Sequence, residues 1–540
     1  MTPILQQLIK FDNLKEGDKI SDISVIVVRA ESSDGIDKVE FAVDDQLKFT
    51  TGSTPYTYKW DTIPEAEGKH VLSVTAIDSN GVKKTVILNL TIDNELDSGV
   101  ESLAAKSSEA LKKNDKARAV IYSRRALKAD PTNIVAARAL SAVLASRLEY
   151  DKAINTLSKA KNLDMSVEAL LELSSYRVKR AFLPEFESGV YKELEIVYSL
   201  RKKAADLNIL QLKSKNIALN DVNSRVQLGD TYFSAARYKD AQSEYGAIAY
   251  KTDSNFPVLN RLALSYIMDH REDEAIRILR TGLRDKTADA AAKATVGLSL
   301  LRQTKFAEAK AMTAEDGAKG NAACLLIASF ADAALGKKEL ALREALKAQE
   351  TLGELGEVHY ALSMSVPKLA ESELEIVQAI ALSPLLSGPY LAYANQYVLD
   401  KHKDNYVVGL AFADFVLKYD PNNDSAKFFQ TLIYLQTKRI PEAETFLSEL
   451  LKKEPKAPDF QLAAAAYFEI LEKNTASSQR FEVAKKLYPE FASNILPFKS
   501  MEIVKEMLIK RRYRSEFFLT PASLYPAPAA PSAPVAPPEK

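Results

Sequence analysis

Hydrophobic and polar positions follow two different periods along this chain. Between residues 17 and 92 the period is two. Val39, Phe41 and Val43 alternate with Glu40 and Ala42, and Leu72, Val74 and Ala76 alternate with Ser73, Thr75 and Ile77. Every second side chain of a strand lies on the same face, so this alternation predicts half-buried strands. Stretches 21–30, 37–44, 55–60, 70–78 and 82–92 are rich in β-branched and aromatic residues. Turn signals such as Ser33-Asp34-Gly35 and Ser79-Asn80-Gly81 separate them. The pattern predicts a small antiparallel β-sandwich over 17–92, preceded by an N-terminal segment 1–16. Trp60, the only tryptophan, is expected to fill the space between the sheets.

Residues 93–99, DNELDSG, read as a polar linker, and from Val100 the pattern becomes helical. Blocks 222–255 and 256–289 align without a gap: Leu228 falls over Leu262, Gly229 over Ala263, Tyr232 over Tyr266 and Ala241 over Ala275. A third block from Ala290 puts Gly297 and Ala309 in the same columns, and Ala119 and Ala153 keep the 34-residue spacing further upstream. Such a period, with a small residue midway along each of two helices, predicts a solenoid of helical hairpins over 100–491. Pro421, Pro455 and Pro489, also 34 apart, close successive units because proline cannot continue a helix. Segments 168–221 and 353–386 break the register. The first is too long for one unit and is expected to hold longer helices or an insertion. Residues 492–518 continue the helical pattern and are expected to cap the stack. Residues 519–540, dominated by proline and alanine, read as a disordered tail.

Composition narrows the chemistry. The 540 residues carry 72 basic and 72 acidic side chains, so no net charge draws the chain to nucleic acid. Cys324 is the single cysteine, which excludes an intrachain disulfide; its apolar helical surroundings predict a buried core thiol. No stretch has the length of a membrane span, and the start MTPILQQLIK lacks the charged and apolar regions of a signal peptide. His70 is expected to be a structural, partly buried side chain. His270, His359 and His402 are read as solvent or groove residues, and no histidine has a partner at metal-ligand spacing. Asp93, Glu95 and Asp97 admit calcium, but a solvated linker is the favoured reading. The run Lys510-Arg511-Arg512 with Arg514 is read as a solvated face. No phosphate-binding glycine loop or nucleophile motif occurs. The expectation is therefore a non-enzymatic protein with no catalytic residues, no cofactor and no metal.

Two family resemblances rest on these residues. DGIDKVEFAVD, PYTYKWD and GKHVLSVTAID, within 15–93, resemble a bacterial immunoglobulin-like domain, without the cysteine pair of antibody domains. That resemblance implies a spacer, adhesion or carbohydrate-associated module, and a bacterial envelope or secreted location; the missing leader keeps the cytoplasm open. The 34-residue units resemble tetratricopeptide repeats, about ten to eleven hairpins forming a superhelix. The best matches are 100–133, 134–167, 222–255, 256–289, 290–321, 322–355, 390–423, 424–457 and 458–491.

The second resemblance implies a concave groove lined by the first helix of each hairpin. In 222–255 it points to Asn223, Val226, Asp230 and Phe233. In 256–289 it points to Asn260, Leu264, Ile267 and Met268, and in 424–457 to Phe428, Leu432, Leu435 and Gln436. This mixture of apolar and aromatic side chains suits a helix or extended peptide of a partner protein. The lysine and asparagine with which such repeats clamp the acidic tail of a chaperone are absent, for example at Val226/Asp230 and Asn260/Leu264. The leading expectation is a protein-interaction scaffold with the Ig-like domain as spacer or second contact. The alternative is a surface module whose Ig-like domain binds glycan or mediates adhesion.

Overall fold

The alternating stretches form strands whose inner positions are those the pattern selects. The strands are β1 (Leu8–Phe11), β2 (Lys19–Ile20), β3 (Ile23–Glu31), β4 (Ile36–Val43), β5 (Gln46–Thr51), β6 (Tyr56–Asp61), β7 (Gly68–Asp78) and β8 (Lys83–Ile92). One sheet has the order β1-β3-β6 and the other β2-β8-β7-β4-β5, with β2 running parallel to β8. Val39, Phe41, Leu72, Val74 and Ala76 are completely buried between the sheets, and Trp60 is 1% exposed there. His70 is also buried; its Nδ1 lies 2.6 Å from Asp44 Oδ2 and its Nε2 2.8 Å from the Ala66 carbonyl. The structure, a computed structural model, describes residues 8–183, 189–214, 221–249, 256–284, 289–401, 405–487, 500–511 and 516–526.

Two expectations about this region change. The sandwich begins at residue 8, because β1 pairs antiparallel with β3 and buries Ile9. Four residues are too few to display a period. Residues 93–99 are not free either: Asp93, Glu95, Asp97 and Ser98 are exposed, but the segment is anchored at Asn94. Asn94 is completely buried and bridges the turns around it, accepting from the Asp22 amide at 3.0 Å and donating to Glu67 at 2.9 Å. Asp93 faces Lys19 at 3.2 Å, and Glu95 faces Lys106 at 3.2 Å, so these carboxylates neutralise cations of the protein itself.

The chain divides into two compact units, Met1–Ala169 and Leu170–Lys540. The first thus joins the sandwich to helices α1 (Val100–Lys112), α2 (Lys116–Ala129), α3 (Ile134–Ser146) and α4 (Tyr150–Ser158). Helix α2 supplies the connection. Arg125 donates to Asp22 at 2.7 Å, Arg124 to Asp61 at 2.6 Å, and Lys128 to Glu67 at 3.0 Å. Arg125 is buried, so its pair with Asp22 is a directed, desolvated contact and not a rim charge.

The second unit begins within α5 (Val167–Ala181) and continues with α6 (Val190–Ser214), α7 (Val222–Ser234), α8 (Tyr238–Ala249), α9 (Phe256–Met268) and α10 (Glu272–Arg284). Then follow α11 (Ala290–Arg302), α12 (Phe306–Ala318), α13 (Ala322–Ala334), α14 (Lys338–Leu352), α15 (Gly356–Ser365) and α16 (Leu369–Leu382). The series ends with α17 (Ser387–Gln396), α18 (Tyr406–Tyr419), α19 (Asp424–Gln436), α20 (Ile440–Lys453), α21 (Pro458–Ile470), α22 (Asn474–Leu487), α23 (Ser500–Arg511) and the single turn α24 (Pro521–Leu524). Consecutive helices pair into hairpins, and each hairpin packs on the next, as a tetratricopeptide-like solenoid requires. The irregular 168–221 region proves to contain the 25-residue helix α6. It reaches across to α18, where Tyr198 and Tyr419 stack with ring centroids 3.6 Å apart and Tyr191 donates to the Val408 carbonyl at 2.9 Å.

The small-residue columns explain the period. Ala119, Ala153, Ala241, Ala275, Ala309 and Ala341 are 0–1% exposed and sit where the two helices of a hairpin cross. Opposite them stands a residue with little or no side chain. Ser107, Ser141 and Ser329 donate to the carbonyls of Ala119, Ala153 and Ala341 at 2.8–2.9 Å. In the next units the same column is Gly229, Ala263 and Gly297, and a Cβ at Gly229 would lie 2.3 Å from the Tyr245 ring. A further column has no compositional signature. Between the two helices of a hairpin, Asn114, Leu148, Ala236, His270, Thr304 and Gly336 all adopt positive φ, 55–80°. Each ends its first helix with a left-handed residue that turns the chain into the second. Cys324 is completely buried in α13, as its surroundings suggested, and burial pushes its thiol up to about 12.

Candidate functional site: an inner groove holding the chain's own C-terminal segment

The C-terminal residues of the second unit run along the first helices of successive hairpins. Helix α23 crosses α17, α19 and α21, burying Ile503, Val504, Met507 and Leu508. It therefore covers the first helices of three hairpins and does more than cap the last one. Residues 516–526 continue toward earlier hairpins. Of these, Phe517, Phe518, Leu519, Pro521, Ser523 and Leu524 are buried, so the disordered tail expected from residue 519 does not begin there. Proline and alanine content masked a segment whose aromatic and leucine side chains each gain roughly 1.5–3 kcal/mol on burial. Residues 527–540, Pro489, and the side chains of Lys510, Arg511, Arg512 and Arg514 lie outside the described residues, as does His402.

The side chains of this strap, residues 516–526, meet receptors supplied by several hairpins. Glu516 accepts a hydrogen bond from Asn423 Nδ2 at 2.7 Å and one from the Ser387 hydroxyl, and its carboxylate lies 3.5 Å from Arg302. Arg302 also faces Glu272 at 3.5 Å and donates to the Ile267 carbonyl at 2.9 Å, so Glu516 is not its only anchor. His270, held at its left-handed turn, lies 3.2 Å from Asp420 and 3.4 Å from Arg302. Burial pushes the Glu516 carboxyl up, but the Arg302 and His270 cations outweigh it and hold it below the usual carboxylate range. Asp420 is likewise raised by burial and brought below its ordinary value by the His270 hydrogen bond. A cavity of about 210 Å³ adjoins this cluster, with Tyr198, Tyr238, Met268, Tyr390 and Tyr419 in its wall.

Beyond the carboxylate, Phe517 packs on Phe330 with centroids 4.7 Å apart, and Phe518 stacks on Tyr360 at 5.6 Å. Thr520 donates to Glu357 at 2.5 Å and caps α24. Tyr525 closes the series: its hydroxyl accepts from Asn260 at 2.6 Å, and the Arg261 guanidinium lies 4.3 Å from its ring centroid. The backbone also approaches closely. A Cβ on Gly388, in the first turn of α17, would lie 2.2 Å from the Glu516 carbonyl oxygen, so only glycine admits the strap there.

The groove positions expected from the repeat pattern fall into four sets. Asn260 touches the strap, and Met268 lines the cavity next to it. Phe233, Leu264, Ile267, Phe428, Leu432 and Leu435 are 0–2% exposed and belong to the interhelical core, the last three on the helix that α23 covers. Asp230 holds Arg261 at 2.9 Å and receives the Tyr245 hydroxyl at 2.7 Å, which sets Arg261 over Tyr525. Val226 and Gln436 are half-buried and Asn223 is exposed. His359 is neither a solvent nor a groove residue: it is buried between Glu354 at 2.9 Å and Glu375 at 2.6 Å. The repeat pattern missed Arg302, Asn423, Ser387 and Glu516. Only Asn423 left a local signal, the helix N-cap it supplies to α19 by accepting from the Ala426 amide at 2.8 Å.

These observations define a protein with a bacterial Ig domain at its N-terminus and a tetratricopeptide-like helical-repeat array after it. Residues 9–74 match the bacterial Ig domain family. No curated protein matches the chain in sequence. Among solved structures, the fibronectin(III)-like modules of Clostridium thermocellum CbhA are 24% identical, covering 16% of this chain and 97% of theirs, with a TM-score of 0.14. The Cut9–Hcn1 hetero-tetramer of the APC/C is 13% identical, covering 75% of this chain and 96% of that one, with a TM-score of 0.42. Yeast Tom70 is 13% identical, covering 78% and 98%, with a TM-score of 0.28. Among the described residues no helix is long and apolar enough to cross a membrane, and no group of three or more His, Cys, Asp or Glu is placed to hold a metal ion.

Proposed function

We propose that this protein is a non-enzymatic protein–protein interaction scaffold. Its repeat groove binds an extended segment of a partner protein, and its Ig domain serves as spacer or second contact. The observation that carries this reading is the groove's present content. A stretch of polypeptide, irregular over 516–520 and one helical turn over 521–524, lies in it, held through side-chain receptors supplied by several hairpins, as a peptide ligand would be. Position-specific photo-cross-linking in host cells tests it. A photoreactive residue placed at exposed Asn223 in the full chain is expected to capture a partner that one at Leu47 in the Ig domain does not. Cross-links arising only from the Ig domain would overturn the groove reading.

A second reading has its own observation. Phe49, 40% exposed on edge strand β5, stacks on Tyr58 at 5.6 Å, beside Leu47 at 61% exposure. An exposed aromatic face suits stacking against a sugar ring, and the match to bacterial Ig domains supports a place in the bacterial envelope. In this reading the Ig domain binds glycan or mediates adhesion, and capture from Leu47 alone is its expected result.

A further inference from the structure

The strap describes the ligand. We infer that residues 516–526 are an exchangeable internal stand-in for the partner, resting on the scaffold reading. The partner segment carries a carboxylate side chain followed directly by two aromatic residues, and it enters the groove by displacing the strap.

The recognition elements have anchors besides the strap. Arg302 is anchored by Glu272 and the Ile267 carbonyl, and Asn423 by its capping bond to Ala426. Both therefore present donors to any carboxylate at that point. A buried guanidinium with an amide and a hydroxyl beside it favours a carboxylate over a neutral side chain, since hydrogen bonds to an ionised acceptor are the stronger. Phe330 and Tyr360 then supply surfaces for two consecutive aromatic rings. Gly388 leaves room for the backbone between these receptors, so the site reads a register as well as a composition. Residues 516–520 are neither helix nor strand, so these side-chain receptors hold the strap. A separate chain with the same side chains meets the same receptors. Because the strap is tethered, it competes at a high effective concentration, and a partner sees its affinity reduced by the fraction of time the groove is closed.

The probe is a fluorescein-labelled synthetic peptide with the sequence of residues 516–526, EFFLTPASLYP, titrated into the full-length chain by fluorescence anisotropy. A chain carrying Phe517→Ala and Phe518→Ala is expected to bind it at least tenfold more tightly than the unaltered chain. Adding Gly388→Ala is expected to abolish that binding, because the new Cβ blocks any backbone in this register. Equal affinity for the unaltered and strap-weakened chains, with helical content unchanged, would overturn the inference. Should the double variant lose helical content, hydrogen exchange on the unaltered chain decides. Excess peptide is expected to accelerate exchange of the chain's own residues 516–526, and no acceleration overturns the inference. The two readings fail separately. A groove partner captured from Asn223 to the same extent in both chains refutes strap exchange and leaves the scaffold. Peptide uptake without any partner captured from Asn223 refutes the scaffold and leaves the exchange.

Discussion

Two glycines in neighbouring helices, Gly229 of α7 and Gly246 of α8, are expected to respond to the same substitution with opposite signs. Replacing a helix-interior glycine by alanine gains roughly 0.8–1 kcal/mol from backbone propensity alone. At Gly246 nothing lies within 4 Å of the added Cβ, so Gly246→Ala is expected to realise that whole gain. At Gly229 the Cβ would fall 2.3 Å from Tyr245 Cε1 and 2.8 Å from Cδ1. The ring cannot give way easily. Tyr245 is completely buried and its hydroxyl donates to Asp230 at 2.7 Å, the same carboxylate that orients Arg261. Overpacking of this kind costs about 1–3 kcal/mol. Breaking the tyrosine's buried hydrogen bond costs about 1–3 kcal/mol more if the ring is driven out. Set against the propensity gain, Gly229→Ala is expected to destabilise by up to about 2 kcal/mol if the ring only shifts and by about 1–5 kcal/mol if it is driven out. A chain of two compact units is not assured of two-state unfolding, so the assay is hydrogen exchange of α7 and α8 peptides beside urea midpoints. The packing argument fails if Gly229→Ala proves as stable as Gly246→Ala.

Leu148 is 70% exposed and holds the left-handed turn between α3 and α4 at φ 63°, so Leu148→Gly is expected to stabilise by about 1 kcal/mol, read as a higher midpoint; a lower one refutes the strain assignment. Acid is expected to release the strap. Glu516 faces Arg302, His270 and Asp420, and both carboxyls sit below their ordinary values, so their contribution is complete above about pH 4.5 and lost as the pH falls through the depressed values. Exchange of residues 516–526, corrected for intrinsic rate, is expected to rise below about pH 4.5, ahead of α13. Glu516→Gln is expected to flatten that rise, and an unchanged rise removes Glu516 as its source.

The alternation in 17–92 and the 34-residue spacing were sufficient for the sandwich and the helical hairpins, because both rest on local facts. A period of two exposes one face of a strand, and Val39, Phe41 and Val43 took that face. A crossing of two helices admits only small residues, and Ala241, Ala275 and Ala309 mark it wherever they recur. The turn column was not legible, because a left-handed conformation at asparagine, leucine, alanine, histidine and threonine is imposed by the hairpin and leaves no common side chain. The contents of the groove were decided by tertiary structure alone. Glu516 and Arg302 are more than two hundred residues apart, and Tyr525 and Asn260 further still, so no spacing connects them. The repeat pattern places positions relative to their own hairpin, and it marked both core residues such as Leu264 and the strap contact Asn260 as groove-facing. What separated them was the path of a C-terminal segment without period. Its proline and alanine suggested disorder, while Phe517, Phe518 and Leu519 found surfaces that only the assembled helices provide.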